Sequence, residues 1–210
     1  MGYQAAWDLQ RRLAAERAAG TCADTLLLLE HAPVYTAGRR APPEHVLLDA
    51  DGLRRLGVPL IETDRGGQVT YHGPGQLVGY PILALRDYGV GPRQYVRLLE
   101  RVLMETLASF GIHAHTEEGL TGVWVYSEKV AAIGVKVSRG VTFHGFSLNV
   151  DPDLRYYRHV VACGITGREV TSMARLLKHG VPMDAVRSAL VHHFAECCGI
   201  RTKYLKSSDL

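Results

Sequence analysis

The chain has 210 residues, of which 47% are hydrophobic and 21% are charged, and it carries a formal net charge of +3. This length and composition suit one globular domain and exclude an intrinsically disordered chain. Lys and Arg are scattered without a long run, so the mild basic excess does not predict a nucleic-acid-binding protein.

The amino terminus shows no secretory or membrane-inserting pattern. Asp8, Arg11, Arg12 and Glu16 interrupt the first nineteen residues, which excludes an apolar signal core. The longest apolar run, Leu26 to Leu29, is too short to span a bilayer. We therefore expect a cytoplasmic protein with reduced thiols, in which the neighbouring Cys197 and Cys198 pack within a helix.

The first part of the chain predicts one helix followed by short strands. Apolar residues at helical spacing predict a helix from Gln4 to Ala19, which Gly20 ends. Apolar runs predict strands at Thr25–Glu30, Pro59–Thr63 and Leu77–Leu85. Pro81 within the last of these indicates an edge strand or a bulge. Pro33, Gly38, Pro42 and Pro43 mark the stretch before the second strand as a connection.

The second part of the chain begins with the strongest helical pattern, Pro92 to Phe110, where Pro92 stands at the start and Gly111 follows the end. The further predicted strands are Ile112–His115, a meander of Val123–Tyr126, Val130–Val137 and Val141–Asn149, and a last strand at Arg201–Tyr204. The further predicted helices are Thr171–Lys178 and Met183–Cys198. This order predicts an α+β fold with a mixed, largely antiparallel central sheet flanked by helices, forming a single catalytic domain over residues 1–210.

Cys163 is the candidate nucleophile. It lies between the predicted strands and the next helix, and Gly164 after it would let a reacting group approach the sulfur. A thiol suits acyl transfer because the thiolate is a strong nucleophile and exchange between thioesters is nearly isoenergetic. The alternative interpretation is a small buried apolar residue.

A thiol that reacts near neutral pH needs a cation, a base or a helix amino terminus beside it. Lys129 and Lys136 lie in one predicted strand region, seven residues apart. On a regular strand they face opposite sides, so only one should reach a given thiol unless a bulge intervenes. The spacing leaves the choice between them open, and a solvated strand end is the alternative for either.

The segment from Arg65 to Gln76 is the richest in glycine. Paired glycines allow the backbone to approach a ligand closely. Arg65 is a candidate for holding a phosphate or a carboxylate, and His72 for donating a hydrogen bond to an oxyanion. Gly145 and Ser147 are candidates for lining the same cleft. The glycine pattern matches neither a P-loop nor a dinucleotide fingerprint, and a pair of hairpin turns is the alternative.

The ten histidines are dispersed, and neither His-Glu-x-x-His nor Cys-x-x-Cys occurs. We therefore predict no metal site.

Four segments together resemble the lipoyl(octanoyl) transferase family. They are Arg-Gly-Gly-Gln-Val-Thr-Tyr-His-Gly-Pro-Gly-Gln (65–76), Lys-Val-Ala-Ala-Ile-Gly (129–134), Phe-His-Gly-Phe-Ser-Leu-Asn-Val (143–150) and Ala-Cys-Gly-Ile (162–165). The resemblance runs from about the first helix to the helix after Cys163. One position departs from it: Ala162 stands where the family usually has Pro, a change that removes no reacting group.

The resemblance implies a fold like that of the biotin- and lipoate-protein ligases. It also implies which residues act, with Cys163 as the nucleophile and Lys129, rather than Lys136, as the activating lysine. The acyl-binding residues that it implies are Arg65, Gly66, Gly67, Gln68, Val69, Thr70, Tyr71, His72, Ala132, Ile133, Gly134, Gly145, Phe146 and Ser147.

The activity that the resemblance implies is octanoyl transfer from octanoyl-acyl carrier protein, through a cysteine thioester, to a lysine of lipoyl domains. Such domains occur in 2-oxoacid dehydrogenase complexes and in the glycine cleavage carrier protein. We further expect no cofactor, no nucleic-acid or membrane partner, and a monomer.

Three other functions stay open at this point. An ATP-dependent lipoate- or biotin-protein ligase of the same fold would activate a free acid and would need no cysteine. A non-catalytic binder of acyl or lipoyl proteins would show no turnover. A thioesterase or cysteine hydrolase would pair the cysteine with a histidine, for which His159 is near in sequence.

Overall fold

The computed structural model describes residues 1–161 and 168–205. Its helices are α1 (Tyr3–Ala19), α2 (Ala50–Leu56), α3 (Pro92–Ala108), α4 (Met173–Leu177) and α5 (Met183–Cys198). Its strands are β1 (Thr25–Leu29), β2 (Val34–Ala37), β3 (Leu60–Glu62), β4 (Val69–His72), β5 (Gln76–Ile82), β6 (His115–Glu117), β7 (Leu120–Val125), β8 (Glu128–Ser138) and β9 (Val141–Asn149).

Two sheets form within the described residues. The larger sheet has the strand order β1-β5-β9-β8-β7-β6, with every neighbouring pair antiparallel. The smaller sheet has the order β3-β2-β4, in which β2 is parallel to β3 and antiparallel to β4. The predicted mixed, largely antiparallel architecture is therefore confirmed, as is the meander of β7, β8 and β9.

Helices cover both faces of the larger sheet because its central strands are apolar on both sides. Val78 packs with α1 on one face, and its neighbour Leu77 packs on the other face in the core that includes α3 and α5. α3 buries a stripe with helical spacing, formed by Tyr95, Leu99, Val102, Leu103 and Leu107. The predicted bounds of α1, α3 and α5 agree with the structure to within two residues.

Several predicted elements were wrong or displaced. Residues 201–205 are exposed and form no strand, so the predicted last strand is absent. The predicted strand at Ile112–His115 lies three residues later, as β6, because Ile112 is buried in the core instead. β2 and α2 were not predicted. β2 has only four residues, and the prolines and the glycine around residues 33–43 indicate a connection instead of a strand. α2 has only seven residues, which is too short for a clear helical pattern.

Pro81 was expected to mark an edge strand or a bulge, and the edge-strand alternative is wrong, since β5 lies between β1 and β9. The ladder between β5 and β9 runs only from Gln76 to Gly79, so Pro81 has no N–H to supply on that side. The hydroxyl of Thr142 donates instead to the carbonyl of Pro81, at 2.7 Å.

β8 contains an irregularity that decides which residues share a face. Trp124 pairs with Lys129 but Val123 pairs with Ala131, so Val130 is an extra residue in β8. Val130 and Ala131 both pack into the core beneath α3. As a result Lys129 lies on the same face as Ala132, Gly134 and Lys136, whereas a regular strand would separate the two lysines.

Among the described residues, no helix is both long enough and apolar enough to cross a membrane.

A cluster of buried histidines lies between α1 and the two sheets. His31 donates from Nδ1 to the carbonyl of Met1 and accepts at Nε2 from the hydroxyl of Tyr80. Burial lowers the pKa of His31 to about 4, that of His72 to about 3 and that of His144 to about 4. All three side chains are therefore neutral in the folded protein above about pH 4.

These three histidines make stability depend on pH. Their pKa is near 6.5 when unfolded, so between about pH 6.5 and pH 4 the unfolded chain binds protons that the folded protein excludes. The contribution of these histidines to the free energy of unfolding is therefore fully present above about pH 6.5 and falls as the pH drops. Replacing His31→Gln should reduce this slope by about 1 kcal/mol per pH unit near pH 5.5, as measured by denaturant unfolding.

The exposed His113 provides the matched control, and His113→Gln should leave the slope unchanged. Equal slopes for His31→Gln and the unmodified protein would contradict the neutral, buried state of His31.

Candidate active site

A cavity of about 390 Å³ lies between the two sheets, within the size range of small-molecule sites. Its walls come from the 65–72 segment on one side and from β8 and β9 on the other. Lys129 lines it near the start of β8, while Tyr3, His72, Tyr80 and His144 belong to the aromatic and histidine cluster beyond Gly134. From Lys129 to Gly134 the strand extends about 13 Å, at about 3.3 Å per residue, because the extra residue Val130 adds almost no length.

Most of the predicted site residues meet at this cavity. Those that line it are Arg65, Gly66, Gly67, Gln68, Val69, Thr70, His72, Lys129, Ala132, Ile133, Gly134, Gly145, Phe146 and Ser147. They come from segments more than eighty residues apart in the chain. The two sheets bring them together because the 65–68 loop packs on β8.

Tyr71 lies outside the cavity, unlike its neighbours. In β4 the side chains of Thr70 and His72 face the larger sheet, so Tyr71 faces the opposite side. There its ring stacks on that of Tyr156, with centroids 4.6 Å apart, and it belongs to the core behind the smaller sheet. Strand alternation therefore excludes direct contact between the Tyr71 ring and the cavity.

Arg65 ties the 65–68 loop to β2 and does not present its guanidinium fork to an anion. Its Nη2 donates to the carbonyls of Thr36 and Gln68, both at 2.7 Å, and to the Thr36 hydroxyl at 2.8 Å. Its Nη1 donates to the carbonyl of Gly66 at 3.0 Å. The guanidinium nitrogens thus donate to protein oxygens, so the geometry does not support the expectation that Arg65 holds a phosphate or a carboxylate.

His72 is a neutral part of the wall. Gln76 donates from Nε2 to the carbonyl of Tyr71, which places its Oε1 toward His72, and His72 donates to that oxygen from Nδ1 at 2.7 Å. Nε2 of His72 is then the acceptor for the hydroxyl of Thr36, at 3.4 Å. Because both ring nitrogens face protein groups, His72 has no N–H directed at an oxyanion, contrary to the sequence-based expectation.

Glycine is required where the 65–67 loop crosses β8. The amide of Gly66 donates to the carbonyl of Val135 at 3.0 Å. A Cβ at Gly134 would lie 2.8 Å from the carbonyl oxygen of Gly66 and 3.2 Å from Cδ of Arg65. Any side chain at Gly134 would therefore push the loop off the strand and open the cavity wall.

Lys129 is buried at one end of the cavity, with 6% of its surface exposed. Its Nζ lies 5.1 Å from the centroid of the Trp124 ring. Within residues 1–161 and 168–205, Nζ has no hydrogen-bond or ion-pair partner. Lys136 differs, because its Nζ donates to Asp64 at 2.7 Å and its side chain is about one third exposed.

Asp64 accepts a second bond, at 2.7 Å, from Nε2 of His144. Burial would raise the pKa of Asp64, but the hydrogen bonds from Lys136 and His144 outweigh it and hold the pKa below its usual value. Asp64 therefore stays ionised and forms an ion pair with Lys136. Of the two lysines on this face, only Lys129 is available to chemistry in the cavity.

Cys163 lies outside the described residues. The chain on either side of residues 162–167 is described, and its downstream part runs beside Lys129. The amide of Lys129 donates to the carbonyl of Glu169, and the amide of Thr171 donates to the carbonyl of Lys129, both at 2.9 Å. The chain thus reaches Lys129 six residues after Cys163.

Sequence reasoning missed part of the cavity wall. The additional lining residues are Tyr3, Arg40, Val78, Tyr80, Val96, Gly119, Leu120, Thr121, Val135 and His144. Tyr3 and Val96 belong to helices whose pattern indicates only core packing, and Val78 and Tyr80 belong to an apolar strand. Nothing in the local sequence distinguishes such residues from ordinary core residues, because the cavity arises from the separation of the two sheets.

Among the described residues, one group of side chains has the spacing of a metal site, namely His192, His193 and Glu196 on α5. It is largely exposed and lies outside the cavity lining. The absence of a structural or catalytic metal stays a prediction.

Comparisons with known proteins give the family. Residues 2–195 match the model of the lipoyl protein ligase A/B catalytic domain. Curated octanoyltransferases are 52% identical to this chain in Solibacter usitatus, over 92% of this chain and 87% of the relative, and 49% identical in Chloroflexus aurantiacus, over 93% and 89%.

Solved structures support the same fold. A lipoate-protein ligase A bound with ATP superimposes with a TM-score of 0.75 at 18% identity, over 96% of this chain and 86% of that chain. A bipartite lipoate protein ligase from Thermoplasma acidophilum gives a TM-score of 0.70 at 18% identity, over 96% and 84%. The biotin/lipoate-ligase-like fold expected from the sequence is confirmed. The chain therefore belongs to the lipoyl protein ligase A/B catalytic-domain family and, within it, to the acyltransferases that transfer octanoyl groups in protein lipoylation.

Proposed function

We propose that this acyltransferase takes an octanoyl group from octanoyl-acyl carrier protein onto Cys163, and passes it from there to a lysine of a lipoyl domain. The observation that carries the proposal is Lys129. It is a buried lysine without an ion-pair partner in the described residues, at the end of a cavity that fits a small acyl chain.

The first half of the reaction exchanges one thioester for another. Lys129 takes the proton of the Cys163 thiol and pairs with the thiolate. The thiolate sulfur attacks the octanoyl carbonyl, the bond from carbonyl carbon to carrier sulfur breaks, and the leaving thiolate takes the proton back from Lys129. An octanoyl-enzyme thioester results.

The second half forms an amide. The target lysine arrives as a neutral amine and attacks the carbonyl carbon of the octanoyl-enzyme thioester. The carbon–sulfur bond breaks, Lys129 relays the amine proton to the sulfur, and Cys163 regains its thiol. The step runs downhill because an amide is more stable than a thioester.

The cavity wall suits an apolar chain held away from water. His72 and His144 are neutral above about pH 4, and Arg65 turns its charge into the protein. Each methylene of the chain that leaves water for this cavity contributes about 0.8 kcal/mol. A filled cavity would also exclude water from the octanoyl thioester and so limit hydrolysis.

The proposed partners follow from this chemistry. The acyl donor is octanoyl-acyl carrier protein, and the acceptors are lipoyl domains of 2-oxoacid dehydrogenase complexes and the glycine cleavage carrier protein. The thioester supplies the activation, so no ATP and no cofactor are required. We propose that residues 1–210 act as one catalytic domain, as a monomer in the cytoplasm, without a nucleic-acid or membrane partner.

Intact mass spectrometry tests the covalent step. After incubation with octanoyl-acyl carrier protein and without ATP, the protein should gain the mass of one octanoyl group, because the thiolate attacks the thioester. An apo lipoyl domain should then remove the adduct. Cys163→Ala should form no adduct, and Cys197→Ala, which changes another cysteine, should form it normally.

An adduct that persists in Cys163→Ala would contradict Cys163 as the nucleophile. Modification of the lipoyl domain only with ATP and free octanoate would support a ligase instead of a transferase.

Substitution at Ala132 tests the cavity as the acyl site. Ala132→Leu adds bulk to the wall and should displace methylenes of the bound chain, at a cost of about fourfold in kcat/KM for each. We expect kcat/KM for the octanoyl donor to fall by about tenfold or more, and the preference to shift toward hexanoyl.

Val137→Leu adds a methylene on the opposite face of the same strand and should leave the chain-length profile unchanged. An unchanged profile for Ala132→Leu would place the acyl chain elsewhere.

A further inference from the structure

Glu100 of α3 is a buried carboxylate that packing alone does not explain. It is 3% exposed, next to Leu99 in the apolar core. Its Oε2 lies 3.3 Å from Nη1 of Arg97, whose side chain is 70% exposed, and its Oε1 accepts from the amide of Gly122 at 3.2 Å. Burying a carboxylate is costly, and an ion pair with an exposed arginine returns little of that cost.

The hydrogen bond from the amide of Gly122 to Glu100 fixes the backbone against which the side chain of Lys129 packs. Gly122 has φ +129°, a conformation that L side chains rarely adopt. A Cβ at this position would collide with Cε of Lys129 and would lie 2.7 Å from the carbonyl oxygen of Ala131 and 3.1 Å from Nζ of Lys129. The stem of Lys129 therefore runs directly over the backbone of Gly122.

Gly122 lies beside an irregularity of the sheet. The pairing of β7 with β8 shifts between Val123 and Trp124, immediately after Gly122. A β-bulge locally disrupts the ladder hydrogen bonds, so the ladder alone defines the position of Gly122 weakly. The bond to Glu100 supplies a second anchor, from a helix outside the sheet.

α3 presents Glu100 toward the Lys129 end of the cavity. Val96 lies four residues earlier on α3, on the same helix face, and lines the cavity together with Leu120, Thr121 and Lys129. The helix face that contains Val96 and Glu100 thus packs beneath the start of β7. Any displacement of this face would move Gly122 and, with it, the amine of Lys129.

We propose that Glu100 is a positioning residue for the acyl transfer: it holds the backbone of Gly122, and thereby places Nζ of Lys129 for proton transfer with Cys163. The proposal rests on the role of Lys129 proposed above. In this role the side chain of Glu100 must have the right length and a hydrogen-bond acceptor, and it needs no negative charge.

Two conservative variants separate the effect of side-chain length from the effect of side-chain charge. Glu100→Gln keeps the length of the side chain and its Oε1 acceptor but removes the charge, whereas Glu100→Asp keeps the charge and is one methylene too short for Gly122. We expect Glu100→Gln to retain most of the wild-type kcat for transfer to an apo lipoyl domain. Glu100→Asp should lose about 10- to 100-fold in kcat with little change in KM for the octanoyl donor, because a small misplacement of a reacting group slows the chemical step.

Thr106→Val is the matched control. Thr106 is fully buried in the same helix and donates only within it, to the carbonyl of Val102. Its replacement should leave kcat unchanged. Thermal unfolding of each variant verifies that it is folded under the assay conditions, so that the kcat values of folded proteins are compared.

Lys129→Ala, assayed alongside, separates this inference from the proposed function. Full activity in Lys129→Ala would overturn the role of Lys129 and the inference with it. A loss in Lys129→Ala together with wild-type kcat in Glu100→Asp would overturn the inference alone. An equal loss of kcat in Glu100→Gln and Glu100→Asp would also overturn it, since the charge and not the acceptor would then matter.

Discussion

The site depends on one buried guanidinium. Arg65 is charged at any relevant pH, and it is only 7% exposed, so it must find acceptors inside the protein. The carbonyls of Thr36, Gly66 and Gln68 supply them, and this fixes the 65–68 loop against β2. The same loop reaches the larger sheet through the amide of Gly66 and the carbonyl of Val135. The two sheets are thus held at a set distance, and the cavity is the space that remains between them.

One part of the wall of this cavity is a chain of hydrogen-bonded polar groups. Arg65 donates to the hydroxyl of Thr36, which donates to His72, which donates to Gln76. Each group in this chain hydrogen-bonds to the next, so the guanidinium of Arg65 and these polar atoms are directed at other protein groups. An apolar acyl chain can pack beside them without breaking these hydrogen bonds. The reactive group, Lys129, lies at the other end of β8, where its amine is not committed to an ion pair with a described residue.

The elements with strong hydrophobic periodicity can be predicted from the sequence, whereas the cavity can be predicted only in part. α3 and the β7–β9 meander follow directly from the spacing of apolar residues, whereas β2 is short and bordered by Pro33 and Gly38. The resemblance indicated most of the cavity lining. It did not indicate that Arg65 and His72 are used internally, because the partner that they share, Thr36 of β2, lies 29 and 36 residues away in the chain. The choice between Lys129 and Lys136 depends on the extra residue Val130 and on Asp64, and neither effect is visible in strand alternation.

The proposed function requires the octanoyl chain to lie between the two sheets when its carbonyl is at Cys163. The most direct test is photo-crosslinking with an octanoyl-acyl carrier protein whose acyl chain has a diazirine at its far end, followed by peptide mapping with mass spectrometry. Crosslinks are expected at the lining residues beyond Ala132, such as Tyr3, Val78 or His144, and they should disappear when unlabelled octanoyl donor competes. Crosslinks confined to exposed residues, or to α5 on the opposite face of the larger sheet, would contradict this placement of the acyl chain.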